Sequence, residues 1–233
     1  MKKKNVRAGC KDVWNAFMVN DAKFTVNDIP VCPCTAKMLP AELISYEQAR
    51  LICKQYRRKG INDFIINAYV HFYMDDYKFD GPLSGVWHAP HKSLEILCHF
   101  AGIITPDFST CADFPFPVKC YNTYRMRAYG YWYGKHGGAV INNVRWGTDE
   151  TFSYCFDGIP KDSVVAVGTV ASGLRKKQNR IIFERGFYRM LDVLAPHAVV
   201  VYGSDNYPCF DSVRSQVKII AFPSETSVAF GRR

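Results

Sequence analysis

The chain has 233 residues and 26.6 kDa, with 48% hydrophobic and 15% aromatic residues and a formal net charge of +9. That much apolar side chain can bury a full core within one domain, and no apolar run approaches the roughly 20 residues of a membrane-spanning helix. The start, "MKKKNVRAGC", has charge but no apolar stretch behind it, so it does not resemble a secretory signal, and a soluble, cytoplasmic protein with no membrane partner is expected.

The charge is uneven. Residues 1–60 hold 12 Lys/Arg against 5 Asp/Glu, so +7 of the total lies there and +2 in the rest. Such asymmetry suits a phosphate-rich partner, a nucleotide or nucleic acid, and equally a solvated basic face. The nine cysteines are scattered, which predicts reduced thiols rather than a disulfide framework. Cys32-Pro-Cys34 and His88-Ala-Pro-His91 lack the cysteine spacing of a zinc knuckle, so no metal site is expected from them.

Residues 1–40, with Pro30, Pro33 and Pro40, read as a basic arm with irregular elements, and 41–233 as a single α/β domain. Ser45 with Gln48 forms a capping box for a helix that runs out in "RRKG". "DFIIN" and "VHFYM" read as strands, "SLEILCHFAG" as a helix capped by Ser93 and ended by Gly102, and "GIITPD" as a strand. A long aromatic helix follows from about Val118 to Tyr133, with Tyr121, Arg125, Tyr129 and Tyr133 along one side. The aromatic residues suit packing, and Arg125 suits ligand contact. "GAVINNVRW" reads as a strand, "DETFSYCF" as a helix capped by Thr148, and "SVVAVGTV" as a buried strand. The helix of "RIIFERGFYRMLDVLAP" precedes the strands "HAVVVYGS" and "VKIIAF".

Strands alternating with helices, in near-continuous Val/Ile runs, predict a parallel sheet buried on both faces. The fold class is α/β, either a β/α barrel, incomplete or elaborated, or an open doubly wound sheet. Both bind ligands at the C-terminal ends of their strands. That rim would gather Asp75 and Asp76 after "VHFYM", Asp107, Asn142, Asn143, Arg145, Thr169 and Ser204. In a strand, Asp75 and Asp76 face opposite ways. Asp75, on the side of Tyr73, is expected in the pocket, and Asp76 is expected to brace the loop near Gly81 to Gly85. The D-D-x-x-x-D spacing of Asp75, Asp76 and Asp80 allows Mg²⁺ as a cofactor if all three meet in one cavity. "GTVASGLRKK" offers backbone N–H groups at Ser172 and Gly173 and charge from Arg175, Lys176 and Lys177; with Gly203 and Ser204 it has the form of a late-strand phosphate site. Phosphate loops, dinucleotide fingerprints, serine elbows and zinc-protease motifs are missing.

The ordered motifs "HFYMDDYKF", "GIITPDFS", "YNTYRMRA", "YCFDGIPKDSVVAVGTV" and "VVVYG" resemble the domain-of-unknown-function family numbered 4417, borne by phages, plasmids and bacteria, from about Asn67 to Phe222. The resemblance implies a mobile-element context. It singles out Asp75, Asp76, Asp107, Ser109, Asn122, Arg125 and Gly203 as motif positions without giving them roles.

Three functions follow as expectations. In the first, Asp107 is nucleophile or general base and Asp75 or Asp76 the second carboxylate. Arg125 and Arg145 stabilise charge there, and Ser172, Gly173 and Lys176 cradle phosphate, for glycosidic or phosphodiester cleavage of a nucleotide or nucleic acid. The second is a non-catalytic nucleotide- or DNA-binding regulator or counter-defence protein. The third is a protein–protein interaction module.

Overall fold

A computed structural model describes residues 6–174, 176–229 and 231. Seven strands form one sheet: β1 (Leu43–Ser45), β2 (Ile66–His71), β3 (Phe100–Ile104), β4 (Val140–Asn143), β5 (Val164–Gly168), β6 (Ala198–Tyr202) and β7 (Lys218–Phe222). All neighbours pair in parallel and in chain order. A doubly wound sheet reverses its strand order at a switch point, so that alternative is overturned. The sheet curls into a half-barrel with alternating helices, far enough for the Tyr73 ring beyond β2 to stack on Tyr202 of β6 at 5.1 Å.

The helices are α1 (Tyr46–Arg58), α2 (Asp76–Phe79), α3 (Pro90–Leu97), α4 (Phe116–Lys135), α5 (Lys177–Leu194), α6 (Pro208–Asp211) and α7 (Glu225–Ala229). The capping box of α1 forms: Gln48 N–H donates to Ser45 Oγ at 3.3 Å and Ser45 N–H to Gln48 Oε1 at 3.0 Å. Elsewhere the local signals mislead. Ser93 lies inside α3, where its hydroxyl bonds Pro90 O and Tyr129. The expected helix over "SLEILCHFAG" stops at Leu97, because Phe100 already pairs with Ile66 in β3. The helix expected from Thr148 is a short 3-10 turn, Asp149–Ser153, with no Thr148 side-chain cap. No described helix is long and apolar enough to cross a membrane.

Strand alternation sorts the core. Val70, Ile103, Val140, Val165, Val167, Val199 and Val201 face the helices, while Tyr69, Ile104, Ile141, Val164, Ala166, Ala198 and Val200 fill the concave side. Burying each such side chain stabilises the fold by about 1.5–3 kcal/mol. In the segment from 6 to 40, Met18, Val19, Ala22 and Cys32 join the helix-side core, whereas Cys34, Ala36 and Leu39 pack against the concave cluster. Cys32 N–H donates to Gly158 O at 2.8 Å, Asn142 Nδ2 to Cys32 O at 2.9 Å, and Ala16, Met18, Val19 and Ile29 are buried. Part of the basic N-terminus, residues 1–5, lies outside the described residues, as does Arg175.

Candidate functional site

The C-terminal rim of the half-barrel is built around an aromatic plug. β2 stops at His71, where Tyr73 N–H donates to His71 Nδ1 at 3.2 Å and Met74 N–H to Phe72 O at 2.8 Å, turning the chain. Tyr73 then swings over the concave face against Gly168. A Cβ at Gly168 would lie 2.8 Å from the Tyr73 ring, so only glycine lets this ring in. His71 lies 4.2 Å from Tyr202, centroid to centroid, closing the plug.

From the plug a polar chain runs to the ends of β3 and β4. Tyr73 Oη donates to Asn143 Oδ1 at 3.0 Å, Asn143 Nδ2 to Asp107 Oδ1 at 2.7 Å, and Arg145 to Asp107 Oδ2 at 3.2 Å. Asn143 N–H is held by Thr105 Oγ1 at 2.9 Å. Burial pushes the Asp107 carboxyl above its ordinary value, against the opposing pull of Arg145 and Asn143. The same burial, with the Asp107 charge nearby, pushes Tyr73 far up. Both Asp107 oxygens are occupied, so in this arrangement the carboxylate orients Arg145 rather than offering itself to a substrate.

Arg145 lines a cleft of about 210 Å³ with Thr110, Cys111, Trp146, Ser172 and Asn179. Thr110 is 4% exposed and its Oγ1 has no hydrogen-bond partner among the described residues. A fixed guanidinium beside an unpaired hydroxyl is a pairing that an anion would satisfy. Past Asn179 a second cleft, of about 540 Å³, is lined by Thr169, Gly173, Lys176, Ser204, Ser224, Thr226 and Ser227. Thr169 Oγ1 lies 3.0 Å from Ser204 O, Ser172 Oγ donates to Gly168 O at 2.8 Å, and Asn179 Nδ2 to Gly173 O at 3.2 Å. Gly203 has φ +111°, and a Cβ there would lie 2.4 Å from Thr169 Oγ1, so glycine joins these two strand ends.

The other carboxylates are placed differently. Asp75 is exposed, outside any strand, and makes no capping bond to α2. Asp76 begins α2 and braces the loop after β3, accepting from Ser109 Oγ at 2.8 Å and Ser109 N–H at 3.1 Å, not the Gly81–Gly85 loop. The opposite-faces argument for this pair fails because neither residue is in β2. Asp80 pairs with Arg125, which also donates to Asn122 Oδ1 at 3.1 Å and sits 3.7 Å from the Phe108 ring centroid. Asn122 Nδ2 in turn donates to Ser109 O at 2.6 Å. Asp76, Asp80, Ser109, Asn122 and Arg125 therefore form one brace beneath the Asp107 loop. Asp76 and Asp80 serve different partners while Asp75 is exposed, and no group of three or more metal-ligating side chains occurs among the described residues. Asn142 faces the helices, bonded to Cys32.

Sequence reasoning missed Thr110, Asn179, His71 and Tyr202. The alternation of "VHFYM" carries a signal for one of them, since it places His71 on the face of Tyr73.

A family model described as Domain of unknown function (DUF4417) matches residues 9–223. The chain is similar to the Gene 1 protein of Mycobacterium phage D29, 34% identical over 150 residues that cover 64% of this chain and 53% of that protein. It is also similar to the Gene 1 protein of Mycobacterium phage L5, 33% identical over 135 residues that cover 58% and 56%. The chain spans about half the length of these curated relatives. No solved structure matches.

Proposed function

We propose, on the premise that the chain belongs to the DUF4417 family and is similar to phage proteins, that it binds a phosphorylated small molecule of nucleotide class at the half-barrel rim. The observation that carries this reading is Arg145, locked by buried Asp107 and facing the cleft that holds the unpaired hydroxyl of Thr110. Ser172 lines the same cleft, and Gly173, Lys176 and Ser204 extend the polar lining into the neighbouring one, the two large enough together for more than one phosphate. Glycosidic or phosphodiester chemistry is the extension of this reading. It requires the ligand to draw Arg145 away from Asp107, freeing a carboxylate oxygen to act as base or nucleophile.

A second reading rests on a different surface. Arg50, Lys54, Arg57 and Arg58 line a cleft of about 700 Å³ on α1, and all four are exposed. Their helical spacing suits phosphate contacts along a nucleic-acid backbone, whose binding would weaken steeply with salt.

One experiment separates the two. The purified protein and its Arg145→Gln variant are dialysed against nucleoside 5′-monophosphates and, separately, against duplex DNA at several salt concentrations. Monophosphate binding that falls about tenfold or more in Arg145→Gln supports the rim site. Salt-sensitive DNA binding unaffected by the variant supports α1. If native protein takes up neither probe, both readings fail.

A further inference from the structure

A fourth cleft, of about 770 Å³, lies between the edge strands β1 and β7 and differs from the rim in its chemistry. Its walls are mostly apolar, with Ile52 and Phe222 among them, and no Lys or Arg among the described residues lines it. Exposed Glu42 and Glu225 stand at its border, so an anion would be repelled.

His71 faces this cleft and is 1% exposed. Because its Nδ1 accepts the Tyr73 N–H, the neutral ring carries its proton on Nε2. That Nε2–H has no partner among the described residues. Burial holds the ring neutral, its pKa pushed down to about 3. The ring borders the cleft, where a bound acceptor can take the place of solvent at Nε2–H. The acceptor must be uncharged, given the flanking carboxylates and the lack of any cation. Half-buried Phe222 offers aromatic surface against which a flat ring can lie, whereas Tyr202 is already stacked on Tyr73 and packed against His71.

We propose that this cleft binds an uncharged planar heteroaromatic ring of nucleobase class, with His71 Nε2–H donating to a ring nitrogen or carbonyl oxygen. The inference does not rest on the anion reading, since it concerns a ligand without phosphate and residues that do not touch Arg145. It places a second recognition element on the same end of the half-barrel, selective by shape and a single hydrogen bond rather than by charge.

The test uses adenosine, guanosine, cytidine and uridine as probes in equilibrium dialysis against the full chain. At least one is expected to bind native protein and Arg145→Gln equally well. His71→Asn retains an acceptor for Tyr73 N–H but removes the Nε2–H donor, and should weaken that nucleoside about tenfold. Val228→Trp gives an arm independent of the buried site: Val228 is 64% exposed on the cleft wall, so a bulky ring there blocks the cleft without entering the core. Failure of all four nucleosides to bind native protein overturns the proposal. So does undiminished binding by folded His71→Asn, or by Val228→Trp.

Discussion

Arg127 offers a sharp test of how α4 is fastened to the sheet. It is fully buried, with no carboxylate partner among the described residues. Its Nε donates to Asp157 O at 3.1 Å, and its two terminal nitrogens to Asn143 O at 2.9 Å and Cys155 O at 3.3 Å. Three hydrogen bonds from a charged donor are worth about 6 kcal/mol at roughly 2 kcal/mol each. Against this, burial depresses the guanidinium pKa to about 10, a cost of roughly 3 kcal/mol. Arg127→Met keeps most of the side-chain volume and removes both terms, so the expected net loss is about 3 kcal/mol. For a domain of this size that lowers Tm by about 6–12 °C. Urea unfolding followed by circular dichroism measures the free-energy change, and a thermal scan measures the shift. A loss below about 1 kcal/mol would refute the reasoning, by showing that the three carbonyls find other donors or that desolvation cancels the bonds.

The two adjacent carboxylates should separate in the same assay: Asp76→Ala removes the acceptor for both Ser109 donors and should cost about 1–3 kcal/mol, while Asp75→Ala, at an exposed position, should stay within about 0.5 kcal/mol. Equal losses would contradict the brace. His71 sets an acid limit. Its pKa is lowered on folding to about 3, so the unfolded chain binds the extra proton first. The stability held by the neutral ring is complete above the ordinary histidine range and is lost as pH falls from about 6.5 towards 3. Urea midpoints across that window should slope less in His71→Asn than in native protein, and parallel slopes would sink the assignment.

The half-barrel was legible in the sequence because its strands are continuous Val/Ile runs buried on both faces, as in "SVVAVG" and "HAVVVY", and because Ser45 and Gln48 cap α1 by purely local bonds. The ends of elements were less legible. "VHFYM" loses its last residues as a strand because the His71 side chain captures the Tyr73 N–H, a bond that propensity does not register. Within the site, Asp107 and Arg145 are each visible as strand-end polar residues, but their pairing spans 38 positions. From sequence Arg125 suits a ligand contact because its charge needs a partner, and the partner is Asp80, 45 residues upstream. Thr110 shows no pattern at all in sequence; only the geometry reveals that its hydroxyl is left without a bond.

The sequential strand order also bears on how the molecule is made. Each strand pairs with the one synthesised just before it, so a chain growing from the ribosome always presents the edge that its next strand needs, and the sheet can extend by successive local additions. The segment around Cys32 is the exception. Its backbone partner is Gly158, and its neighbour Asn27 bonds Ser153 and Asp157, all more than 120 residues later. The stretch from Asn27 to Cys32 therefore lacks these partners until the loop beyond β4 exists, and a nascent chain halted before Gly158 would hold an extending sheet with that stretch still loose.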